Sequence, residues 1–199
     1  EIMKKIPSQM MIVEDGSTDG TKELLIKLKK KYPLILVMKK ERQGLPKALT
    51  FALKEVKTPL IFYTDSDQYN PKDFWKLYEK VGDYDHIIGK KVNRKDPFHR
   101  KFIGWVHCQI VKHMFGLPVS DVDCGFRIIK RKVVQDVLPS MGTVKHTFFT
   151  ELTVRSYHKG YSVTEVPISH HLRKEGTGST RTFYLWKLPR IILRQFSDL

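Results

Sequence analysis

Apolar residues fall into short runs that alternate with longer stretches of helical spacing as far as Gly89. Residues 10–13 form an apolar run that stops at Glu14-Asp15-Gly16-Ser17, the pattern of a buried strand breaking into a polar turn. Asp19 is placed to cap a helix starting near Gly20, with Leu24, Leu25 and Leu28 on its inner face and Pro33 closing it. Residues 34–38 predict a second strand. Residues 45–56 predict a helix with Ala48, Leu49, Ala52 and Leu53 at helical spacing. Residues 60–63 predict a third strand, and it too runs into acid: Thr64-Asp65-Ser66-Asp67. A helix over 73–81, with Phe74, Leu77 and Tyr78 inward, and a short strand at 87–89 follow. Such alternation predicts an α/β fold with a mostly parallel, doubly wound sheet. Beyond it the pattern predicts a helix at 102–115 ending at Gly116, a strand at 121–129 and a helix at 132–138. A helix at 148–158 ending at Gly160 and an alternating strand at 161–168 complete the series. No internal repeat or low-complexity segment interrupts it.

Composition narrows the class. At 199 residues, 41% hydrophobic and 11% aromatic, the chain suits one folded domain with a short appendage. Its two cysteines, Cys108 and Cys124, are too few for a disulfide framework or a Cys-rich zinc site, so plain thiols in a reducing compartment are expected. No apolar run reaches the roughly 18 residues of a bilayer span, and no signal peptide opens the chain. Lys and Arg exceed Asp and Glu by 36 to 21, a net charge of +15 that attracts polyanions: nucleic acid, anionic lipid or phosphorylated small molecules. Lys27, Lys29, Lys30 and Lys31 read as a solvated helix face. Lys90, Lys91, Arg94, Lys95, Arg100 and Lys101 form either an anion-binding rim or a merely solvated cluster. Without zinc-finger spacing, an RNA-recognition signature or a long basic helix, no nucleic-acid partner is expected.

Chemistry enters at the strand ends. Ligands of open parallel sheets sit beyond the carboxyl ends of strands. The first strand delivers Glu14 and Asp15 there, and the third delivers Asp65 and Asp67. Two carboxylates on one side of an extended segment suit a hard divalent cation, Mg2+ or Mn2+, that offsets the charge of a departing diphosphate. The competing reading makes these acids turn formers and helix caps.

The order of motifs points further. An apolar strand ends in Glu-Asp-Gly-Ser-Thr-Asp-Gly-Thr, Gln43-Gly44 opens an Ala-rich helix, and Tyr-Thr-Asp-Ser-Asp follows. Later come Gly89-Lys90-Lys91 with Arg94-Lys95-Asp96-Pro97, then Asp121-Val122-Asp123-Cys124-Gly125-Phe126-Arg127, then Glu151 to Arg155, Gly160 and Glu165-Val166-Pro167-Ile168. His171, Arg173 and Gly176 close the series. This sequence of motifs resembles the family 2 glycosyltransferases of the GT-A fold. Within them it is similar to the dolichol-phosphate mannose synthase-like group, the polyprenyl-phosphate glycosyltransferases. The resemblance covers about residues 10 to 180.

The resemblance implies a metal-dependent, inverting transfer of a sugar from a nucleotide-diphosphate sugar to a polyprenyl phosphate. It implies that Asp15 accepts from the nucleotide base, with Glu14 beside it in the same strand-end turn. It implies that Gly44 and Lys47 lie near the nucleotide, that Asp65 approaches the ribose and metal, and that Asp67 ligates the metal. Asp121 and Glu151 are implied near the sugar or acceptor, and Arg127, Arg173 and Ser179 in phosphate handling. Arg127 reads alternatively as the partner of a buried carboxylate, and Glu165 as a residue that merely ends a strand. A phosphate acceptor, with a second pKa near 6, needs no strong base. A sugar-hydroxyl acceptor would need one, and Asp121 or Asp123 is then the candidate. A catalytically inactive binding module of the same fold is the remaining alternative.

Three departures from the family stand out. The family's first strand and helix are not represented, so two strands are expected to lack a ladder partner and the sequence is expected to be a trimmed or partial one. Gln68 follows Asp67 directly, and Ser179 lies three residues after Gly176 instead of two. The expected organisation is a GT-A domain over 1–180 and an amphipathic tail over 181–199. In the tail, Phe183, Leu185, Trp186, Leu188, Ile191, Ile192, Leu193 and Phe196 interleave with Arg181, Lys187, Arg190 and Arg194. That tail reads either as an interfacial anchor on an anionic membrane surface or as a face packed on the domain. The expected location is cytoplasmic, peripheral on the cytoplasmic face of a membrane.

Overall fold

The computed structural model describes residues 2–64, 69–94, 97–142, 147–171 and 196, with His99 and Arg100 by backbone alone. Its contacts divide the chain into two units, one running to Lys57 and one running from Thr58 to Gly142 and resuming at Thr147.

The first unit holds α1 (Ile2–Lys5), β1 (Met10–Glu14), α2 (Thr21–Lys31), β2 (Leu34–Met38) and α3 (Leu45–Glu55). β1 and β2 pair in parallel from Met10 opposite Leu34 to Glu14 opposite Met38, so α2 is the crossover that parallel pairing requires. Asp19 Oδ1 accepts from the backbone N–H and the hydroxyl of Thr21, while the left-handed Gly20 takes the N-cap position itself. Leu25 is buried, but Leu24 is exposed, because two strands offer too little surface to cover every expected inner position of α2. α3 lies against β1 through a stripe in which Ala48, Leu49 and Leu53 are buried.

The second unit begins with β3 (Leu60–Thr64), followed by a 3-10 turn at Pro71–Asp73 that runs into α4 (Phe74–Tyr78). β4 (His86–Val92), α5 (Phe98–Phe115), β5 (Phe126–Lys130) and α6 (Arg131–Val137) come next. After a 3-10 turn at Leu138–Ser140, α7 (Phe148–His158) and β6 (Val163–Ser169) complete it. The strand order is β3-β5-β4-β6; β5 is antiparallel to both neighbours, and β4 and β6 are parallel. Among the described residues β1 pairs only with β2, and β3 pairs only with β5. The four-stranded sheet of the second unit is therefore mixed.

Four consecutive residues of β5, Phe126 to Ile129, are buried, so both faces of the strand are covered. Ile87 and Ile88 of β4, Leu77, Val133, Val134, Val137, Leu152 and Val154 surround it. Each fully buried aliphatic side chain of this kind contributes roughly 1.5–3 kcal/mol. Gly89 is where β4 is squeezed: a Cβ there would stand 2.4 Å from Ile168 Cδ1 and 2.9 Å from the Phe126 carbonyl oxygen.

The strand expected at 121–129 starts only at Phe126. Val122 and Cys124 are buried on either side of exposed Asp123, as in a strand, but the backbone of 120–124 bonds to side chains instead of a ladder.

Candidate active site

In the first unit the loop after β1 is knitted to the loop before α3. Asp15 Oδ1 accepts from the Gln43 N–H at 3.0 Å, and Oδ2 accepts from the Gly44 N–H at 2.7 Å. Gly16 has φ +78, and a Cβ there would stand 2.7 Å from the Arg42 nitrogen, so only glycine lets the two loops close. Glu14 is buried, and its Oε1 accepts from the Ser17 N–H. Burial favours the neutral acid, but the Ser17 and Gly16 amides and the Lys22 charge outweigh it and hold the carboxyl below its usual range. Its second oxygen, Oε2, is buried with no hydrogen-bond partner among the described residues. An ionised carboxylate oxygen in that state accepts readily from a ligand's hydroxyl or N–H. Lys47 is exposed on the first turn of α3, three residues past Gly44.

In the second unit a carboxylate hub organises Asp121. Glu165, the third residue of β6, accepts from the Ser120 N–H at 2.6 Å, the Asp121 N–H at 3.2 Å and the Ser120 hydroxyl. It also pairs with Lys90 Nζ at 2.8 Å. Asp121 in turn accepts from the Lys91 N–H at 3.1 Å and pairs with Lys91 Nζ at 3.3 Å. Burial alone would lower the Lys91 pKa, but the Asp121 carboxylate, with Cys124 and Asp123 behind it, raises it above its ordinary value. The ammonium stays charged. Glu165 does not end its strand, since β6 continues to Ser169. Lys90, Lys91, Ser120, Asp121 and Glu165 are thus one network built from β4, β6 and the loop after α5.

Two expected site residues lie in the interior instead. Arg127 is 1% exposed. Its Nε and Nη2 donate to the Cys124 carbonyl, Nη2 also to the Val122 carbonyl, and Nη1 to the Thr153 hydroxyl. The guanidinium lies 4.3 Å from the Phe149 ring centroid. Its donors hold the 122–124 backbone, which is neither the phosphate contact nor the buried carboxylate pair that the sequence allows. Glu151 is also fully buried, pairing with Arg155 at 2.8 Å and accepting from the Gly142 N–H at 2.8 Å. It ties α7 to Gly142 in the preceding loop.

Asp65, Asp67, Arg173 and Ser179 lie outside the described residues, as do residues 181–199 apart from Phe196. Phe196 is buried, its ring centroid 4.6 Å from that of Phe115. Among the described residues no group of three His, Cys, Asp or Glu side chains is set to hold a metal ion. Cys108 and Cys124 are free thiols, pushed up by burial to about 12 and about 11. The Glu165 and Ser120 contacts escape the sequence reading. The signal that finds them is a carboxylate between Val163 and Val166 of a half-covered strand, which requires a partner.

The mixed α/β fold is that of GT-A glycosyltransferases among solved structures. Residues 4–138 match the model of Glycosyl transferase family 2, and the chain belongs to that family. It is 25% identical over 198 residues to a dolichol-phosphate mannosyltransferase of Pyrococcus furiosus, covering 94% of this chain and 54% of that protein. It is 25% identical over 175 residues to a dolichyl-phosphate beta-glucosyltransferase of Trichomonas vaginalis, covering 80% of this chain and 52% of that protein. The chain thus spans about half the length of these two relatives. Among solved structures, glucosyl-3-phosphoglycerate synthase from Mycobacterium tuberculosis, in complex with Mn2+, uridine-diphosphate and phosphoglyceric acid, superposes with TM-score 0.72 at 12% identity. That match covers 94% of this chain and 67% of the other. No helix among the described residues is long and apolar enough to cross a membrane.

Proposed function

We propose that this chain transfers a hexose, with inversion, from a nucleotide-diphosphate sugar to a polyprenyl phosphate at a membrane surface. One observation carries the reading: the dolichyl-phosphate sugar transferases align over 80% and 94% of this chain. An acceptor phosphate oxygen forms the new bond to the anomeric carbon while the bond from that carbon to the diphosphate breaks, and the nucleoside diphosphate leaves. With a second pKa near 6 the acceptor is already ionised at neutral pH, so no side chain has to remove a proton.

The chain's residues then bind and orient two anions. Glu14 and Asp15 receive the nucleoside, with the rigid Gln43-Gly44 turn against Asp15 and Lys47 one turn further on. Asp65 and Asp67 would hold Mg2+ or Mn2+; a pair of carboxylates is the hard oxygen donor set such ions prefer. When bound, the ion neutralises charge on the departing diphosphate. Asp121, held by Lys91 and Glu165, borders the sugar or acceptor. Lys90, Lys91, Arg173 and Ser179 serve the phosphate side by charge-assisted hydrogen bonds.

A thermal-shift panel of nucleoside diphosphates with and without Mn2+ tests the donor side. A ligand at about a hundred times its Kd should add about 2.7 kcal/mol of stability. Transfer of labelled hexose to a polyprenyl phosphate, lost in Asp67→Ala, tests the reaction. Transfer only to a phosphate-free glycan moves the reading to a hydroxyl acceptor. Nucleotide binding without transfer makes the chain a binding module, and neither binding nor transfer overturns the proposal.

A further inference from the structure

The first two turns of α5 carry an apolar stripe that stays exposed among the described residues. Phe98 is 78% exposed, Phe102 48% and Trp105 58%. At 100° per residue the three fall within about 60° of helix arc. Their rings stack in series: Phe98 on Phe102 at 6.2 Å and 18°, Phe102 on Trp105 at 6.2 Å and 29°. Among its described residues the same helix is buried at His107 and Val111. Its leading end therefore projects while its later turns are anchored.

Cations rim the stripe. Lys101, three residues past Phe98 and about 60° round the helix from it, is exposed, and its Nζ lies 3.5 Å from the Arg94 carbonyl oxygen. The Arg94 guanidinium lies over Gly104, where a Cβ would stand 3.2 Å from Nη1. Residues 94–101 contain Arg94, Lys95, Arg100 and Lys101 against the single acid Asp96.

We propose that this aromatic stripe and its cationic rim dock the protein on an anionic lipid bilayer. Aromatic rings with flanking Lys and Arg suit the headgroup boundary, where rings enter the acyl edge and ammonium and guanidinium groups meet lipid phosphates. Other occupants fit less well. A second copy would bring the same cations against these, since an isologous contact repeats one surface. A single-stranded nucleic acid stacks its bases on ring faces, but the chain carries no RNA-recognition signature and no long basic helix to track a backbone. The proposal builds on the polyprenyl-phosphate reading, because a lipid-linked acceptor presents its phosphate at headgroup level.

Sedimentation of the full chain with vesicles of phosphatidylcholine, alone or mixed with phosphatidylglycerol, tests docking without sugar transfer. Binding to the anionic vesicles should fall about tenfold or more in the triple variant Phe98→Ser, Phe102→Ser, Trp105→Ser, with far-ultraviolet circular dichroism unchanged. Independently, brominated acyl chains should quench the fluorescence of the unsubstituted protein, and Trp105→Phe should lose most of that quenching. Three results overturn the proposal: equal vesicle binding by the triple variant together with undiminished quenching in Trp105→Phe, a dimer that the triple variant dissolves, or oligonucleotide binding that it alone abolishes. Transfer to a short-chain, water-soluble isoprenyl phosphate, assayed without vesicles, separates the two claims. Its absence counts against the acceptor reading and leaves docking standing on the vesicle result.

Discussion

Arg127 and Lys91 are both cations taken out of water, and the chain satisfies them in opposite ways. Arg127 spends its donors on carbonyls and Thr153, whereas Lys91 pairs with a carboxylate that still borders solvent. His86, fully buried, lies against Arg127, its Nε2 3.2 Å from Nη1. Burial and then the Arg127 charge hold its pKa well below the ordinary 6.5, and burial also lowers that of His107 against the opposing pull of Asp121. An unfolded chain takes up a proton on each below pH 6.5, while the folded one does so only at lower pH. Stability is therefore full above about pH 6.5 and declines below it, by up to about 1.4 kcal/mol per pH unit for each group. Urea denaturation between about pH 7 and about pH 5 should show this decline, and His86→Gln, which keeps an acceptor for Arg127, should make it shallower. Glu165→Gln removes the charge from the hub, and its charge-assisted bonds are worth roughly 1.5–3 kcal/mol. That loss should appear in denaturation, together with slower sugar transfer as Asp121 loosens. The sequence shows Glu165, Asp121 and Lys90 as separate motif residues. It does not show that they meet, because 44 residues separate the partners Asp121 and Glu165.

Elements were more legible than contacts. Residues 34–38 and 148–158 carry their strand and helix at the expected bounds, since apolar period and the flanking Pro33 and Gly160 agree. The direction of β5 was not legible: side-chain alternation is the same whichever way a strand runs, and both faces of β5 are covered. Nor was the late start of β5, because Val122 and Cys124 mimic a strand's alternate burial while Arg127 and Thr153 take the carbonyls. Of the strand-end acids, Asp15 joins the Gln43-Gly44 loop, Glu14 accepts from Ser17, and Asp65 and Asp67 lie outside the described residues. Gly89 tests how tightly β4 sits between its neighbours. Gly89→Ala should cost about 1–3 kcal/mol, read as a lower denaturation midpoint, because Ile168 can shift but the Phe126 carbonyl is backbone.

At the scale of the whole molecule, the net charge of +15 acts over a distance that salt controls. The Debye length falls from about 10 Å at 0.1 M to about 3 Å at 1 M. Attraction to anionic vesicles should weaken over that range, while any residual binding depends on Phe98, Phe102 and Trp105. Sedimentation at the two salt levels, with and without the triple substitution, separates the electrostatic from the aromatic share. The deep thiol of Cys124 has a use of its own. Its Sγ lies 3.8 Å from the Tyr69 hydroxyl, one residue past Gln68 and the Asp65–Asp67 stretch. An alkylating reagent reaches that sulfur only when the surrounding segment opens, so the labelling half-time is an hourglass for local breathing. Nucleoside diphosphate with Mn2+ should lengthen the half-time before any product is formed.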